Sequence, residues 1–583
     1  NSKTITNGFE NVATSLWNEK GALITGNVAL KGTKQDCSDS GSTICKTSDL
    51  INDGTITGNV TNDTGKEINL VENTGTIEGS IANSGNINIF EVSGTIAQGI
   101  LNDTNASISS ITINKGANLG SSGITNHSNI GSLIVNESVK YNGNGSDRIT
   151  QALEVAEDKT LTIQNSGSSN GTLYFNSTTN GTIDNAGIIA GNLSNVSNST
   201  LGTFINSGTI NGDINNEGTI TSINNSGVIT GEIVSGSSGQ TSQIDKIINT
   251  GTIGTAKTKV ATFKTLVASN QDASSNFNDA ISLNTITTTE ISNGGLINGN
   301  IRVKGQSDIQ ELNNTNTIDG CIILEGGRIG NINNTNGAIA NCMSFSNGAS
   351  VDNISNSGTI KESITNDSGS ITIDNSGSGF IGGITTSNGG TTNISNGGFQ
   401  NPGGNIGLIT NTGSNSTTNI IEWNVGNPDN PKSPIKVAGD NLGGINTGTI
   451  YVDVTPGKVY DVEQIVVGED INGDGVEDGV DSNGDSLADQ LNNGQGIFDS
   501  LHHASDIITI IDEGGGEFSA GVDTQELSGK TLGASLIYSS RMRQINTNSM
   551  LREINVKNFK TDFEILEQRE RLKNQQALLE NYK

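Results

Sequence analysis

Apolar residues are sparse in this chain, and they are spaced rather than scattered. In ITGNV, INLVE, IEGSIA and INIFEV apolar and polar positions alternate, the period of a strand with one buried face. The alternation sits inside a longer phrase, Asn/Ser/Thr-Gly-x-Ile, followed by small polar residues and another Ile or Val. It reads NDGTITGNV at Asn52, ENTGTIEGSI at Glu72, NSGTINGDI at Asn206, NNSGVITGEI at Asn224 and NSGTIKESI at Asn356. The glycines give the period: Gly54 to Gly75 is 21 residues, Gly75 to Gly94 is 19, Gly208 to Gly227 is 19 and Gly227 to Gly251 is 24. Gly65 and Gly85 fall about midway and mark half-steps. Self-similarity at such a period is the mark of a solenoid, whose units bury their apolar faces only against their neighbours.

The pattern predicts an all-β chain, a right-handed parallel β-helix over residues 23–450 with two or three short strands per coil. At about 20 residues per coil that is on the order of 20 coils, and a rod roughly 100 Å long at ~4.8 Å per strand. Gly and Asn at the corners are expected to supply positive φ, and Asn recurring at equal steps is expected to stack into hydrogen-bonded ladders. Residues 1–22, with Trp17, precede the first clear repeat and are expected to cap the open end of the core. The repeat weakens over 139–162 and 255–282, candidate excursions from the rod, and 257–270 (KTKVATFKTLVASN) carries a faint helical pattern. After residue 450 the texture changes. YVDVTPGKVYDVEQIVV reads as a hairpin turning at Pro456-Gly457, and SDIITIIDEGGGEFSAGVD as a second strand pair, so 451–540 is expected to be a C-terminal β cap. Residues 541–583 read as a terminal α-helical linker, charged and free of Gly and Pro in EILEQRERLKNQQALLENYK, with Ile565, Leu566, Leu572 and Leu578 as apolar markers.

Composition sharpens this picture. Hydrophobic residues are 31% and aromatics 4% of the 583 residues. That is low enough to suit disorder, but the placed Ile and Val suffice for the thin core of a solenoid. The net charge is −29, and such a surface repels nucleic acid and anionic lipid. The charge is uneven: 541–583 hold 9 Lys+Arg against 6 Asp+Glu, leaving 22 against 54 in the preceding 540 residues. No apolar run is long enough to span a membrane as a helix. The chain starts at Asn1 without Met or signal sequence, as expected of a processed or trimmed export product. Four cysteines pair by position, Cys37 with Cys45 in a local loop and Cys321 with Cys342. The second gap is 21 residues, one repeat, which would put the two on adjacent coils about 5 Å apart. Free thiols are the alternative.

The strongest chemical motif is DINGDGVEDGVDSNGDSLAD. Asp470, Asn472, Asp474 and Asp478 follow D-x-N-x-D-G-x-x-D, and Asp481, Asn483, Asp485 and Asp489 repeat D-x-N-x-D-x-x-x-D. Oxygen ligands at alternate positions, with Gly475 allowing a sharp turn, suit a structural Ca²⁺; a solvated acidic loop is the alternative. The tandem spacing resembles thrombospondin type 3 repeats. Gly484-Asp485-Ser486-Leu487 spells the GDSL esterase motif and Asp499 to His502 its DxxH, but they lie too close together to enclose an α/β sheet, and Asp485 already belongs to the Ca²⁺ pattern. His127, His502 and His503 are the only histidines, so Ser/His/Asp catalysis has few possible bases. Asn105 and Asn313 match the acidic-x-Asn-x-Ser/Thr glycosylation sequon, at a frequency that chance explains in so Asn-, Ser- and Thr-rich a chain.

Taken together, the repeats, the residues after 450 and the segment SAGVDTQELSGKTLGASLIYSSRMRQINTNSMLREINVKNFKTDF resemble the passenger region of a classical (type Va) autotransporter of the Campylobacter type, without its C-terminal β-barrel translocator. The resemblance covers nearly the whole chain. It implies that 451–540 helps start passenger folding, that the following helix threads the chain's own outer-membrane β-barrel, and that the protein is exported through the periplasm and outer membrane to the cell surface of a Gram-negative bacterium. The expected function is a non-catalytic adhesin whose partner is a host-cell surface protein or glycan. Self-association of rods into aggregates or biofilm, and a secreted toxin or esterase acting through the loop excursions, are the alternatives.

Overall fold

In the computed structural model the chain is all-β, and its parallel strands wind into a β-solenoid of about 17 turns. The structure describes residues 1–12, 15–32, 49–165, 171–236, 242–255, 277–335, 338–426, 435–439, 441 and 444–452. Beyond these it describes the strands Val459–Asp461, Val466–Gly468, Gly479–Val480, Gln490–Leu491, Thr509–Asp512, Phe518–Ala520, Ser535–Tyr538 and Glu553–Asn555. No helix occurs among the described residues. The chain divides into two compact units, 1–312 with 316–320, and 313–315 with 321–583.

In the first unit a typical coil has a long strand such as Glu67–Asn73, a two-residue strand Thr76–Ile77 and a short strand Ile81–Asn83. Each pairs in parallel with its equivalent one coil on, in register, so that apolar side chains stack on apolar ones. Ile24, Ile56, Ile77 and Ile96 form one apolar column. Val71, Phe90, Ile111 and Leu133 form a second, and Val60, Ile81, Ile100 and Ile124 a third. All are buried, each worth roughly 1.5–3 kcal/mol against exposure. With a fourth buried column, Ile68, Ile87, Ile108 and Ile130, each adding one side chain per coil, they explain how a chain with few apolar residues closes a core.

The glycine of the repeat is needed for close approach, not for positive φ. A Cβ at Gly75 would lie 2.2 Å from the Gly54 carbonyl oxygen, one at Gly94 2.1 Å from that of Gly75, and one at Gly227 2.0 Å from that of Gly208. The same carbonyls accept from the next coil, Thr76 N–H to Gly54 and Thr95 N–H to Gly75, each at 2.8 Å. Positive φ occurs at other corners, among them Gly65, Asn105 and Asn198.

Two buried Asn ladders run beside the apolar columns. At the end of the long strand, Asn18 donates to Asn52 (2.8 Å) and Asn52 to Asn73 (2.7 Å). The column then turns aliphatic through Val92, Ile113, Val135 and Val155. It resumes with Asn185, Asn206, Asn225, Asn249 and Asn293, each amide donating to the next at 2.7–2.8 Å. At the end of the short strand, Asn62, Asn83, Asn102 and Asn126 form the second ladder. It ends on the Tyr141 hydroxyl, which accepts from Asn126 (2.8 Å) and donates to buried Asp147 (2.9 Å). Burial, with the Asp147 charge beside it, pushes the Tyr141 phenol well above its usual value.

The ladders have a direction, since every amide donates toward the C-terminal neighbour. The Oδ1 of a first rung therefore has no donor. Asn62, Asn185 and Asn195 each carry such an unpaired oxygen, and each sits in register against an apolar residue of the preceding coil, Leu30, Val155 and Phe175. Asn18 is capped instead by the Asn1 side chain at 3.0 Å.

Residues 1–22 complete the first unit as a coil of the same kind: Thr4–Thr6 and Leu16–Asn18 pair in parallel with Leu23–Thr25 and Asp49–Asn52. The stretch 139–162 is no excursion. It supplies Val139–Gly143 and Arg148–Val155 to the stack, its weak phrase reflecting Tyr141 in register with Ile124, Gly143 where the preceding coils carry Asn, and a one-residue bulge between Ile149 and Ala152. Of 255–282, residues 256–276 lie outside the described residues, and Asp279–Asn284 is a coil strand.

The second unit repeats the scheme. Ile332, Ile354, Ile373, Ile394 and Ile420 stack in register, beside a ladder Asn314, Asn334, Asn356, Asn375 and Asn396 at 2.8 Å per step. Cys321 and Cys342, 4.5 Å apart at Cα, are joined by a disulfide; Cys37 and Cys45 lie outside the described residues. Parallel pairing continues past residue 450, where Thr509–Asp512 pairs with Ile445–Val452. Two expected hairpins are replaced by longer-range pairings. Val459–Asp461 and Phe518–Ala520 both pair antiparallel with Ser535–Tyr538, and Glu553–Asn555 lies antiparallel on Thr509–Asp512, covering a strand edge that would otherwise present open backbone groups. Of 541–583, expected to be helical, Glu553–Asn555 is a strand and the other residues lie outside the described ones.

The direction of the ladders predicts unequal costs along one column. Asn206→Val leaves Asn225 Oδ1 without its donor while the Asn185 oxygen stays unpaired, and should cost about 1–3 kcal/mol. Asn185→Val merely moves the unpaired oxygen to Asn206 and extends the aliphatic run, so it should cost less. Thermal unfolding of the two variants by circular dichroism checks this, and equal losses would contradict a directional ladder.

Candidate interaction face on the first coils

With the inner side of every coil committed to stacking, the chemistry open to the protein lies on the outward positions. Most carry Ser, Thr or Asn. The long strands of the first four coils, Leu16–Asn18, Asp49–Asn52, Glu67–Asn73 and Asn86–Val92, are different. Registered outward, Trp17, Ile51, Glu72 and Glu91 form one row across the strands, and Asp49, Leu70 and Ile89 another. Trp17 is 56% and Ile89 37% exposed. The next strand, Ser107–Ile113, offers Ser110 and Thr112 at the same positions, so the apolar face ends there.

The indole is held in place. Trp17 Nε1 donates to Asp53 at 2.8 Å, and Asp53 also accepts from the Thr74 hydroxyl at 2.5 Å. The Thr74 hydroxyl first, and the indole N–H second, hold the Asp53 carboxyl below its usual value. Beside them runs an outward polar chain, Ser15 to Asp49, Asn69 to Asp49 and Asn88 to Asn69, each at 3.3 Å. No Lys or Arg occupies an outward position of these four strands. The second tryptophan, Trp423, is fully buried. Sequence reading placed Trp17 in the cap and gave it no role; its outward direction follows only from register against Ile51.

A second charged feature lies along a turn column. Asp213 N–H donates to Asn192 (2.8 Å) and Glu232 N–H to Asp213 (2.9 Å). Burial, then the charges of Asp279 and Asp213, push the Glu232 carboxyl up to about 7, against lesser opposing effects of Ser282 and Lys304. Asp279 is itself paired with Arg302 at 2.8 Å.

The eight acidic-loop residues Asp470, Asn472, Asp474, Asp478, Asp481, Asn483, Asp485 and Asp489 lie outside the described residues, as do the GDSL stretch, His502 and His503. The described strands Gly479–Val480 and Gln490–Leu491 pair antiparallel on either side of Asp481–Asp489 in sequence. Among the described residues no group of three or more His, Cys, Asp or Glu is placed to hold a metal ion. His127 is half-buried, on the strand-to-strand corner beside the Asn ladder. Asn105 is exposed on a positive-φ corner, whereas the Asn313 oxygen accepts from Asn333 at 2.7 Å. Comparison with family models, with curated proteins and with solved structures finds no match to the chain.

Glu232 gives the chain a pH dependence of known sign. Its folded value of about 7 lies above the ordinary carboxyl value of 4.5, so stability present below about 4.5 is lost as pH rises through 7. Glu232 is half-buried, and solvent screening reduces the effect to on the order of 1 kcal/mol. The melting temperature of the wild type should fall more between about pH 5 and pH 8 than that of Glu232→Gln, and parallel pH profiles would refute the assignment.

Proposed function

We propose that the chain is an autotransporter passenger, displayed or released at the surface of a Gram-negative bacterium, and that it acts as a non-catalytic adhesin toward a host-cell surface protein or glycan. The observation that carries this reading is the separation of roles within each coil. Stacking consumes the inward positions, while the outward rows are free to vary and, on the first coils, present an immobilised exposed tryptophan. A stack of this kind offers extended surface without a catalytic centre. The resemblance assigns residues 451–540 to the start of folding and 541–583 to the passage through the chain's own outer-membrane β-barrel. Purified, labelled residues 1–540 should bind saturably to epithelial cells and not to the bacteria; absence of host-cell binding would remove the reading.

Self-association is favoured by a separate observation, an outward ladder in the second unit in which Asn446 donates to Asn419 (2.7 Å) and Asn419 to Asn393 (2.8 Å). Such rows of identical amides suit pairing with a like row. Binding to the bacteria alone in the same assay would select it.

The acidic loop from Asp470 to Asp489 is proposed to bind Ca²⁺ in a structural role, since so many carboxylates in one short segment repel one another without a cation. Chelation with EDTA should then lower the melting temperature of 451–540 before that of the coils. An unchanged melting profile would remove calcium.

A further inference from the structure

We infer that the face centred on Trp17 is a docking site for a cationic, partly apolar polypeptide segment. The inference deepens the adhesin reading, on which it rests, by naming the chemistry of one partner. Three observations lead to it. First, the chain spends one of its two tryptophans on an outward position that is 56% exposed, and fixes the ring through Nε1 to Asp53, so little side-chain entropy remains to be lost on binding. Second, the ring is continuous with Ile51, Leu70 and Ile89, an apolar strip three strand spacings, or about 14 Å, across. Third, the strip is rimmed by Asp49, Asp53, Glu67, Glu72 and Glu91 with no outward Lys or Arg among them.

An apolar strip alone would fit many occupants, and the charge decides between them. A Lys or Arg head group over an indole face gains a cation–π interaction, strongest with Trp, while its methylene stem covers apolar surface. The Glu72 and Glu91 carboxylates, one and two strands beyond Ile51, provide the next ion pairs. A segment in which basic and aliphatic residues alternate therefore matches both strip and rim. A neutral sugar would use the indole and leave the carboxylates without a role.

The test uses the full chain and a fluorescein-labelled peptide of alternating arginine and leucine, about six residues and ~20 Å when extended. Anisotropy should show saturable binding that weakens with salt. Trp17→Ala should weaken it at least tenfold, with Trp17→Phe intermediate and circular dichroism unchanged for both. Glu72→Gln/Glu91→Gln should weaken it severalfold, whereas Glu154→Gln/Asp184→Asn, which removes equal charge from the same row four coils on, should not. Equal weakening by both charge pairs would mean non-specific attraction to an acidic surface and would overturn the site. So would indifference to Trp17→Ala. Trp17-dependent binding of a neutral oligosaccharide, insensitive to Glu72→Gln/Glu91→Gln, would overturn the polypeptide in favour of a glycan. The assay uses no cells, so its failure is distinct from a failure of host-cell binding.

Discussion

Each coil depends on the coil beside it for nearly all its backbone hydrogen bonds, and the repeat exists to make that dependence exact in register. The critical point is the corner after the long strand. There the Gly carbonyl of one coil sits about 2 Å from where a Cβ of the next glycine would be, and accepts the following N–H at 2.8 Å. Any side chain at that glycine would push the coils apart and break the ladder on both sides. The buried Asn next to it supplies an amide for the same corner, as when Asn52 donates toward Asn73, Gly54 and Thr76. Asn-x-Gly-Thr-Ile is thus one device: an amide that ties neighbours together, a glycine that lets them approach, and an Ile that fills the core.

The ladders carry a penalty at every start, because amide donation runs one way. The protein handles it in two ways. Asn1 caps Asn18, whereas Asn62, Asn185 and Asn195 begin against apolar residues with an unpaired oxygen. The aliphatic interruption from Val92 to Val155 is where one ladder stops and must start again. Opposite Val135–Val155, the second ladder ends in the Tyr141–Asp147 pair, which is held by the Asn144 and Gly145 N–H groups. At the end of the long strand, coils 92 to 155 are therefore held by packing where their neighbours are held by amides, while the second ladder continues through Asn102 and Asn126.

Function follows from what stacking leaves over. The inward side has one solution per coil, but outward positions answer to no neighbour except across the strand. Selection for binding can act on them without disturbing the fold. The Trp17 face uses this freedom, with apolar and acidic side chains where the next coil has Ser110 and Thr112.

Much of the architecture was legible in the sequence, because a repeat states its own periodicity and alternation states which residues face inward. The solenoid, the strand faces and the Asn ladders all follow from that. The tyrosine–aspartate ladder end hid a whole coil at 139–162, since a substitution that satisfies the same geometry with different residues breaks the phrase but not the fold. The role of glycine is legible only in part: corners such as Gly65 and Gly116 have the expected positive φ, but at the glycine of the repeat the neighbouring coil's carbonyl decides that close approach is what the corner requires. The hairpins expected after 450 failed for a related reason. Strand propensity does not choose a partner, and Val459–Asp461 found one some 75 residues away. The outward face of Trp17 was decided in the same way. Sequence spacing fixed that Trp17 alternates with Leu16 and Asn18, and tertiary register alone set it beside Ile51, Glu72 and Glu91, because contacts between coils join residues that the chain holds far apart.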